Sequence, residues 1–212
     1  MTKIEAIQFA ISEANLFRSK LSPEALAVPG YTSLKIRHLM NNLGAISSNY
    51  LEIGVHKGGT FCSAIFGNNN LAFATAVDSF VEFNEEGSPM KEFLSNAGMC
   101  KSIVTGMKLI AKDCWEIVPV DLPQGIDLYL YDGGHGFSEQ LQACTHYLDS
   151  MADEFIFLVD DYSAFGGVKD GTTEGIKKSG CEILFEQELY NGIPGDNFGF
   201  HNGFYVSLLK KK

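Results

Sequence analysis

The sequence predicts an α/β protein with a doubly wound, mostly parallel sheet of seven strands. From residue 49 onward, short runs rich in β-branched and aromatic residues alternate with helical segments. Several of these runs end in, or run just into, an acidic residue. The last two runs are joined by a Gly- and Asn-rich segment, 191–203, and not by a helix. We therefore expect these two strands to be antiparallel neighbours at one edge of the sheet.

The region before the sheet, 1–48, is predicted as a helical segment that packs on the core formed by 49–212, within a single domain. An apolar stripe at spacings of four, four and three residues predicts its first helix: Ile4, Ile7, Ile11 and Ala14. A second helix is predicted at 33–42, with its carboxyl end marked by Gly44. Phe9 and Leu16 fall off this stripe, so a second face of the helix could be covered by another subunit, which is compatible with a homo-oligomer.

The strands and crossover helices follow in regular order. Strands are predicted at 50–53, 71–77, 108–111, 126–131, 155–159, 182–188 and 204–209. Helices are predicted at 58–66, 92–97, 138–151 and 173–179. The polar segments 82–89 and 163–172 are interpreted as lids over a site or as plain loops. Ligands of such sheets bind beyond the carboxyl ends of the strands, so the residues that follow each strand are the candidates for function.

Composition restricts the partners. The 212 residues are 45% hydrophobic, enough for one packed domain. With 26 acidic and 16 basic side chains the formal charge is −10, so the surface repels phosphate backbones and anionic lipid. We therefore expect neither a nucleic-acid nor a membrane partner. Five dispersed cysteines without a Cys-x-x-Cys pair, and a start interrupted by Glu5 and Glu13, favour a cytoplasmic protein over a secreted one.

The loop after the first strand suggests a nucleotide-like ligand. Gly54 and Gly58 would allow close backbone approach, although Gly-x-x-x-Gly alone is also a plain tight turn. The dinucleotide fingerprint would need glycine at position 56, where this chain has His56. Glu52, at the end of the strand, would repel a pyrophosphate but attract the cationic sulfonium and ammonium of S-adenosylmethionine. Charge therefore favours S-adenosylmethionine over NAD.

Glu52-x-Gly54-x-x-x-Gly58 resembles motif I of the class I S-adenosylmethionine-dependent methyltransferases, which have a Rossmann-like fold. The resemblance implies that Asp78 takes the ribose hydroxyls and that the segment 112–115 faces the adenine, with Trp115 beside the purine. The implied cofactor-binding set is Glu52, Gly54, Gly58, Asp78, Asp113, Cys114, Trp115 and Asp132. His56 departs from the commonest glycine-rich form of the motif.

A group of acidic residues follows two strands that should be neighbours. Asp132 follows one strand, and Asp160 and Asp161 follow the next, so their carboxylates should converge. Carboxylates without a nearby cysteine suit a hard cation such as Mg²⁺, Mn²⁺ or Ca²⁺. Each aspartate taken singly is better explained as a turn residue or a helix cap, and only the three together favour a metal site. His135, three residues after Asp132, is a candidate general base.

From about residue 50 to 162 the chain is similar to the macrocin O-methyltransferase branch, metal-dependent sugar O-methyltransferases. This resemblance implies that Asp132, Asp160 and Asp161 bind Mg²⁺ and that His135 takes the proton of a hydroxyl. The acidic pair is Asp-Asp here, where relatives often have Glu-Asp. The predicted function is methyl transfer from S-adenosylmethionine to a small hydroxylated acceptor, such as a sugar.

Two other functions are weighed against this one. The first is an NAD(P)-dependent oxidoreductase, and the second is a non-catalytic nucleotide-binding domain with the same fold. The remaining histidines have weaker claims to function. His38 and His146 lie on predicted helices and are expected at the surface or an interface, whereas His201 could line the acceptor pocket.

Overall fold

The computed structural model describes residues 1–83, 88–99 and 104–212. The helices are α1 (Lys3–Asn15), α2 (Pro23–Leu26), α3 (Leu34–Gly44), α4 (Gly59–Ile65), α5 (Pro89–Gly98), α6 (Phe137–His146) and α7 (Gly166–Ser179). The strands are β1 (Asn49–Ile53), β2 (Phe73–Val77), β3 (Gly106–Ile110), β4 (Ile126–Tyr131), β5 (Met151–Val159), β6 (Glu182–Leu189) and β7 (Phe204–Lys210).

The strands form one seven-stranded sheet in the order β3-β2-β1-β4-β5-β7-β6. All neighbouring pairs from β3 to β5 are parallel, whereas β7 is antiparallel to both β5 and β6. The predicted doubly wound sheet with an antiparallel edge is therefore confirmed. The strand order reverses between β1 and β4, which is where a doubly wound sheet opens a crevice for ligands.

Helices cover both faces of the sheet because neighbouring side chains of a buried strand point to opposite sides. On one face, Tyr50 of β1 shares a hydrophobic core with α1, α3, α4 and α5. On the other face, Leu51 shares a core with α6 and α7. The N-terminal helices are therefore packed directly onto the sheet, and their apolar stripe lies in the first core.

Two helix predictions were wrong at their boundaries. Helix α7 begins at Gly166, so most of the predicted loop 163–172 is helical. Its glycines conceal the helix from sequence patterns, yet they allow close packing on α6: a Cβ at Gly171 would lie 2.4 Å from the Phe137 carbonyl oxygen. Helix α6, predicted to run to residue 151, ends at His146, and a short 3₁₀ turn (Leu148–Ser150) connects it to β5, which begins at Met151.

The remaining expectations concern single side chains of the N-terminal helices, the segment 82–89 and membrane-spanning helices. His38 was expected at the surface or an interface but is buried within the fold, with Nδ1 2.7 Å from the Ser19 hydroxyl oxygen. Phe9 and Leu16, off the apolar stripe of α1, are exposed. The predicted lid or loop 82–89 lies partly outside the described residues. In the part of the chain that is described, no helix combines the length and the apolar character required to cross a membrane.

Candidate active site

The first loop brings the ends of two strands together. Gly54 has a φ of +84°, and a Cβ at this position would lie 1.9 Å from the Asp132 carbonyl oxygen. Gly58, with a φ of +90°, caps the start of α4. Both positions require a conformation that residues with a side chain rarely adopt. The His56 backbone N–H donates to Asp78 Oδ2 at 2.8 Å and ties the loop to the end of β2.

A cavity of about 780 Å³ opens at the carboxyl ends of the parallel strands. Most of the predicted site residues line it: Gly54, Asp78, Asp113, Cys114, Trp115, Asp132, His135 and Asp161. Three predicted residues do not line it: Glu52, Gly58 and Asp160. Glu52 and Asp160 are buried behind the wall, and Gly58 contributes its backbone conformation. The structure thus places most of the predicted site in one cavity.

Glu52 lies beneath the cavity, fully buried. Its carboxylate accepts hydrogen bonds from the hydroxyls of Tyr50 and Thr60, and Thr60 itself lines the cavity. Burial raises the pKa of Glu52 to about 7, and the Asp78 charge acts in the same direction, against these two hydrogen bonds. Glu52 therefore does not line the cavity itself, whereas Thr60, which donates to its carboxylate, does.

Replacing Glu52 with glutamine is expected to make the protein more stable at pH 8 and to change its stability little at pH 5. The folded pKa of about 7 exceeds the ordinary value of 4.5, so the folded state binds the proton more tightly. The free energy of unfolding therefore falls as pH rises between these values, by about 3 kcal/mol at most. Urea unfolding of both proteins at pH 5 and pH 8 measures the difference.

A matched control for this change is Glu182→Gln, because Glu182 is an exposed glutamate of β6. It should alter stability equally, and only slightly, at both pH values. If Glu52→Gln likewise gave the same difference at pH 5 and pH 8, Glu52 would be titrating in the fold as it does in the unfolded chain.

The wall beyond β3 is built by a short 3₁₀ turn. Asp113 caps this turn by accepting the Trp115 backbone N–H at 2.9 Å. The Trp115 ring lies 6.1 Å from Tyr131 and 5.5 Å, edge to face, from His146. His146 was expected at the surface or an interface, but its Nε2 lies 2.8 Å from the Ile117 carbonyl oxygen. The His146 ring therefore packs against Trp115 and is held in place by the Ile117 carbonyl group.

The opposite wall carries the acidic group. Asp132, His135 and Asp161 each offer one ligand atom, and these three atoms lie within 4.8 Å of one another. His135 Nε2 lies 3.0 Å from Asp161 Oδ2, but it makes no hydrogen bond of good geometry with any residue that the structure describes. Asn202 Nδ2 donates to the other Asp161 oxygen at 2.8 Å. Asn202 therefore anchors one carboxylate oxygen of Asp161, and the other oxygen lies beside His135.

Asp160 was predicted as a metal ligand, and the structure places it elsewhere. It is buried behind the wall, and its Oδ1 accepts the Asp161 backbone N–H at 2.8 Å. Asp161 has a φ of +54°, a left-handed conformation that turns the two neighbouring side chains in different directions. His135, predicted as a base, is the third member of this group.

Charge is concentrated in this group. Burial, together with the charges of Asp160 and Asp161, raises the pKa of Asp132 well above its usual range. Burial and Asp161 raise the pKa of Asp160 to about 8. Burial alone would raise the pKa of Asp161, but His135 and Asn202 hold it below its usual range. The contact with Asp161 raises the pKa of His135 despite burial. A cation would relieve this repulsion.

Comparison with known proteins identifies the architecture. No protein-family model matches the sequence, and no curated protein gives a significant sequence match. Solved structures do match. The O-methyltransferase from Bacillus cereus, solved with S-adenosylhomocysteine, has a TM-score of 0.58 at 14% identity, covering 99% of this chain and 93% of that chain. The chain has the fold of the class I S-adenosylmethionine-dependent methyltransferases.

Two further solved structures share the methyltransferase fold. TomG from Streptomyces achromogenes, an O-methyltransferase involved in tomaymycin synthesis and solved with S-adenosylmethionine, has a TM-score of 0.56 at 15% identity, covering 100% of this chain and 92% of that chain. NodS from Bradyrhizobium japonicum, an N-methyltransferase, has a TM-score of 0.57 at 12% identity, covering 82% and 93%. Because O- and N-methyltransferases share it, the methyltransferase fold alone does not define the acceptor atom.

Several cavity residues of this methyltransferase fold have no local sequence signal. Tyr31, from the N-terminal segment, stacks on His56 with ring centroids 5.0 Å apart, and Phe83 lies 5.5 Å from both rings. Phe165 stacks on His135 at 4.6 Å. His201, weighed as a lining residue, does line the cavity.

Proposed function

We propose that the protein is an S-adenosylmethionine-dependent O-methyltransferase, assisted by a divalent cation, that acts on a small hydroxylated acceptor such as a sugar. One observation carries the proposal: a single cavity joins the first loop, Asp78 and Trp115 on one side to the group of Asp132, His135 and Asp161 on the other. A methyl donor and an acceptor hydroxyl would therefore meet within the same cavity.

The donor half of the cavity suits a cationic nucleoside. Asp78 lines it, and each of its oxygens accepts one backbone N–H, from His56 at 2.8 Å and from Phe80 at 2.7 Å. Each oxygen keeps a further lone pair that can accept a ribose hydroxyl. Trp115, held by Tyr131 and His146, offers an apolar surface for the purine. The acidic character of the cavity favours the positive sulfonium.

The acceptor half fits a hard cation. The donor set of Asp132, Asp161 and His135 consists of carboxylate oxygens and an imidazole nitrogen, as Mg²⁺ or Mn²⁺ accepts. His135 Nε2 is a buried nitrogen without a hydrogen-bond partner among the described residues. In our proposal Asp132 and Asp161 hold the cation. When bound, S-adenosylmethionine supplies an electrophilic methyl group, and the cation supplies a Lewis acid that favours an ionised hydroxyl.

His135 is proposed to take the proton of the acceptor hydroxyl. Its imidazole lines the cavity, and stacking on Phe165 fixes the plane of the ring. Asp161, beside Nε2, would stabilise the imidazolium that forms. Asn202 holds Asp161 in place through the 2.8 Å hydrogen bond to its other oxygen. The residues therefore bind, orient and deprotonate the acceptor, and positioning is the main contribution of the protein.

Methyl transfer is expected to require both S-adenosylmethionine and a divalent cation. Calorimetry with S-adenosylmethionine should show binding at micromolar Kd, and a panel of sugars and phenols should include an acceptor that yields S-adenosylhomocysteine. EDTA should abolish turnover and Mg²⁺ should restore it, because the cation stabilises the oxyanion. Turnover that survives EDTA would refute the role of the cation.

The same panel separates the alternatives. Tight S-adenosylmethionine binding without transfer to any acceptor would favour a non-catalytic domain. Binding of NADH, followed by its fluorescence, without binding of S-adenosylmethionine would favour an NAD(P)-dependent oxidoreductase. Glu52 beneath the first loop argues against the latter, because its charge would oppose a pyrophosphate placed above it.

A further inference from the structure

Three aromatic side chains at the cavity take no part in the proposed chemistry. Tyr31, His56 and Phe83 all line the cavity, and together they form what we call the aromatic wall. The Tyr31 and His56 rings are stacked at 8° with centroids 5.0 Å apart, and the Phe83 ring lies 5.5 Å from each of them. Tyr31 and Phe83 are each 54% exposed. Large aromatic side chains that stay exposed at a cavity indicate a surface for a ligand.

An acidic side chain lies next to the aromatic wall. Glu82 directly precedes Phe83 in the chain, lines the same cavity and is exposed. It forms no ion pair with any residue that the structure describes. The face of an aromatic ring attracts cations, and a carboxylate does so more strongly. A carboxylate beside exposed ring faces is therefore a combination that suits an ammonium ion.

The charge of the cavity stays negative when the proposed donor and cation are bound. Six carboxylates of the described residues line it: Asp78, Glu82, Asp113, Asp132, Glu139 and Asp161. Lys112 is the only lysine or arginine among the lining residues that the structure describes. A divalent cation adds two positive charges, and S-adenosylmethionine adds one, since it carries a sulfonium, an ammonium and one carboxylate. With the lining histidines neutral, two negative charges therefore remain to face the acceptor.

Most of these carboxylates already have a role. Those of the donor half and of the cation group are used in the proposed function. Asp113 accepts the Trp115 backbone N–H, and Glu139 accepts the Gly136 backbone N–H at 3.0 Å at the start of α6. Glu82 is the lining carboxylate that these roles leave over, and it lies where the aromatic wall offers its exposed rings.

We infer that the acceptor carries an ammonium group, which Glu82 binds together with the ring faces of Tyr31 and Phe83. This inference rests on the proposed function, because it takes the methyl acceptor from it. An amino sugar or a hydroxylated aromatic amine has the required chemistry: a hydroxyl for methyl transfer and a protonated amine for the aromatic wall. An acceptor with a carboxylate or a phosphate in the same place would be repelled.

The test uses two series of compounds in which an amine, an alcohol and a carboxylate are compared. The sugar series is glucosamine, glucose and glucuronate, and the phenol series is tyramine, tyrosol and hydroxyphenylacetate. Calorimetry on the full chain, saturated with S-adenosylhomocysteine and Mg²⁺, measures each Kd without turnover. In at least one series the amine should bind about tenfold or more tightly than the alcohol, and the carboxylate should bind most weakly.

Three variants locate the preference. Glu82→Gln should remove most of the preference for the amine and leave the Kd of the alcohol within about twofold of wild type. Phe83→Leu, which keeps an apolar side chain without a ring face, should remove part of it. Glu182→Gln makes the same change in net charge at an exposed glutamate of β6, outside the cavity, and should alter none of the Kd values.

The opposite results are equally specific. The inference would be overturned if no amine bound more tightly than its alcohol, or if Glu139→Gln removed the preference and Glu82→Gln did not. Weaker binding of S-adenosylhomocysteine to Glu82→Gln, with an unchanged preference for the amine, would assign Glu82 to the donor and would also overturn it. Failure of the wild type to bind S-adenosylhomocysteine would instead refute the proposed function itself.

Discussion

Replacing His135 with asparagine is expected to lower kcat by about 10²–10⁴-fold and to leave the Kd for S-adenosylhomocysteine within about twofold of wild type. The imidazole is the group of the cavity best placed to accept a proton beside Asp132 and Asp161. Asparagine has similar size but cannot accept a proton at neutral pH. The donor half of the cavity, around Asp78 and Trp115, is unchanged by the substitution.

Initial rates at saturating donor, with calorimetry for S-adenosylhomocysteine and for Mn²⁺, measure this effect. His201→Asn is the matched control, because His201 also lines the cavity but its Nδ1 lies 3.9 Å from Asp161, against 3.0 Å for His135. It should reduce kcat much less. If His135→Asn weakened Mn²⁺ binding as strongly as it lowered kcat, the imidazole would be a cation ligand and the assignment as base would be wrong.

The sheet was predictable because the relevant pattern is local. Buried parallel strands are short continuous apolar runs, and the run 126–131 matches β4 to the residue. Helix α7 was not fully predictable, because Gly167, Gly171 and Gly175 weaken its propensity. Those glycines are explained only by α6, since a Cβ at Gly175 would lie 2.8 Å from the Leu141 carbonyl oxygen. Tertiary packing therefore overrides the local preference.

The candidate site likewise combines residues that the local sequence predicts with residues that only the tertiary fold brings in. Asp78, Asp132 and Asp161 were predictable because each follows a parallel strand, and topology brings such ends to one edge. Tyr31 and Asn202 were not, because they reach the cavity from segments far away in sequence. The segment before β7 is held by Ser33, whose hydroxyl donates to the Gly199 carbonyl oxygen at 2.6 Å. Only the folded chain shows this connection.

The separation of Asp160 from Asp161 is testable by a pair of matched substitutions. Asp161→Asn is expected to weaken Mn²⁺ binding by about 100-fold or more and to reduce methyl transfer in proportion, since it removes one ligand charge at nearly constant shape. The amide oxygen of the new side chain can still accept the hydrogen bond from Asn202, so the loop before β7 should keep its position.

Asp160→Asn should change Mn²⁺ affinity by only a few-fold, because this buried side chain lies outside the group formed by Asp132, His135 and Asp161. Calorimetric titration of both variants with Mn²⁺, with unfolding curves to verify that each folds, gives the comparison. An equal loss in the two variants would mean that both carboxylates hold the cation. The ligand set implied by the family resemblance would then be correct, and Asp161 would have to turn relative to Asp160 when the cation binds.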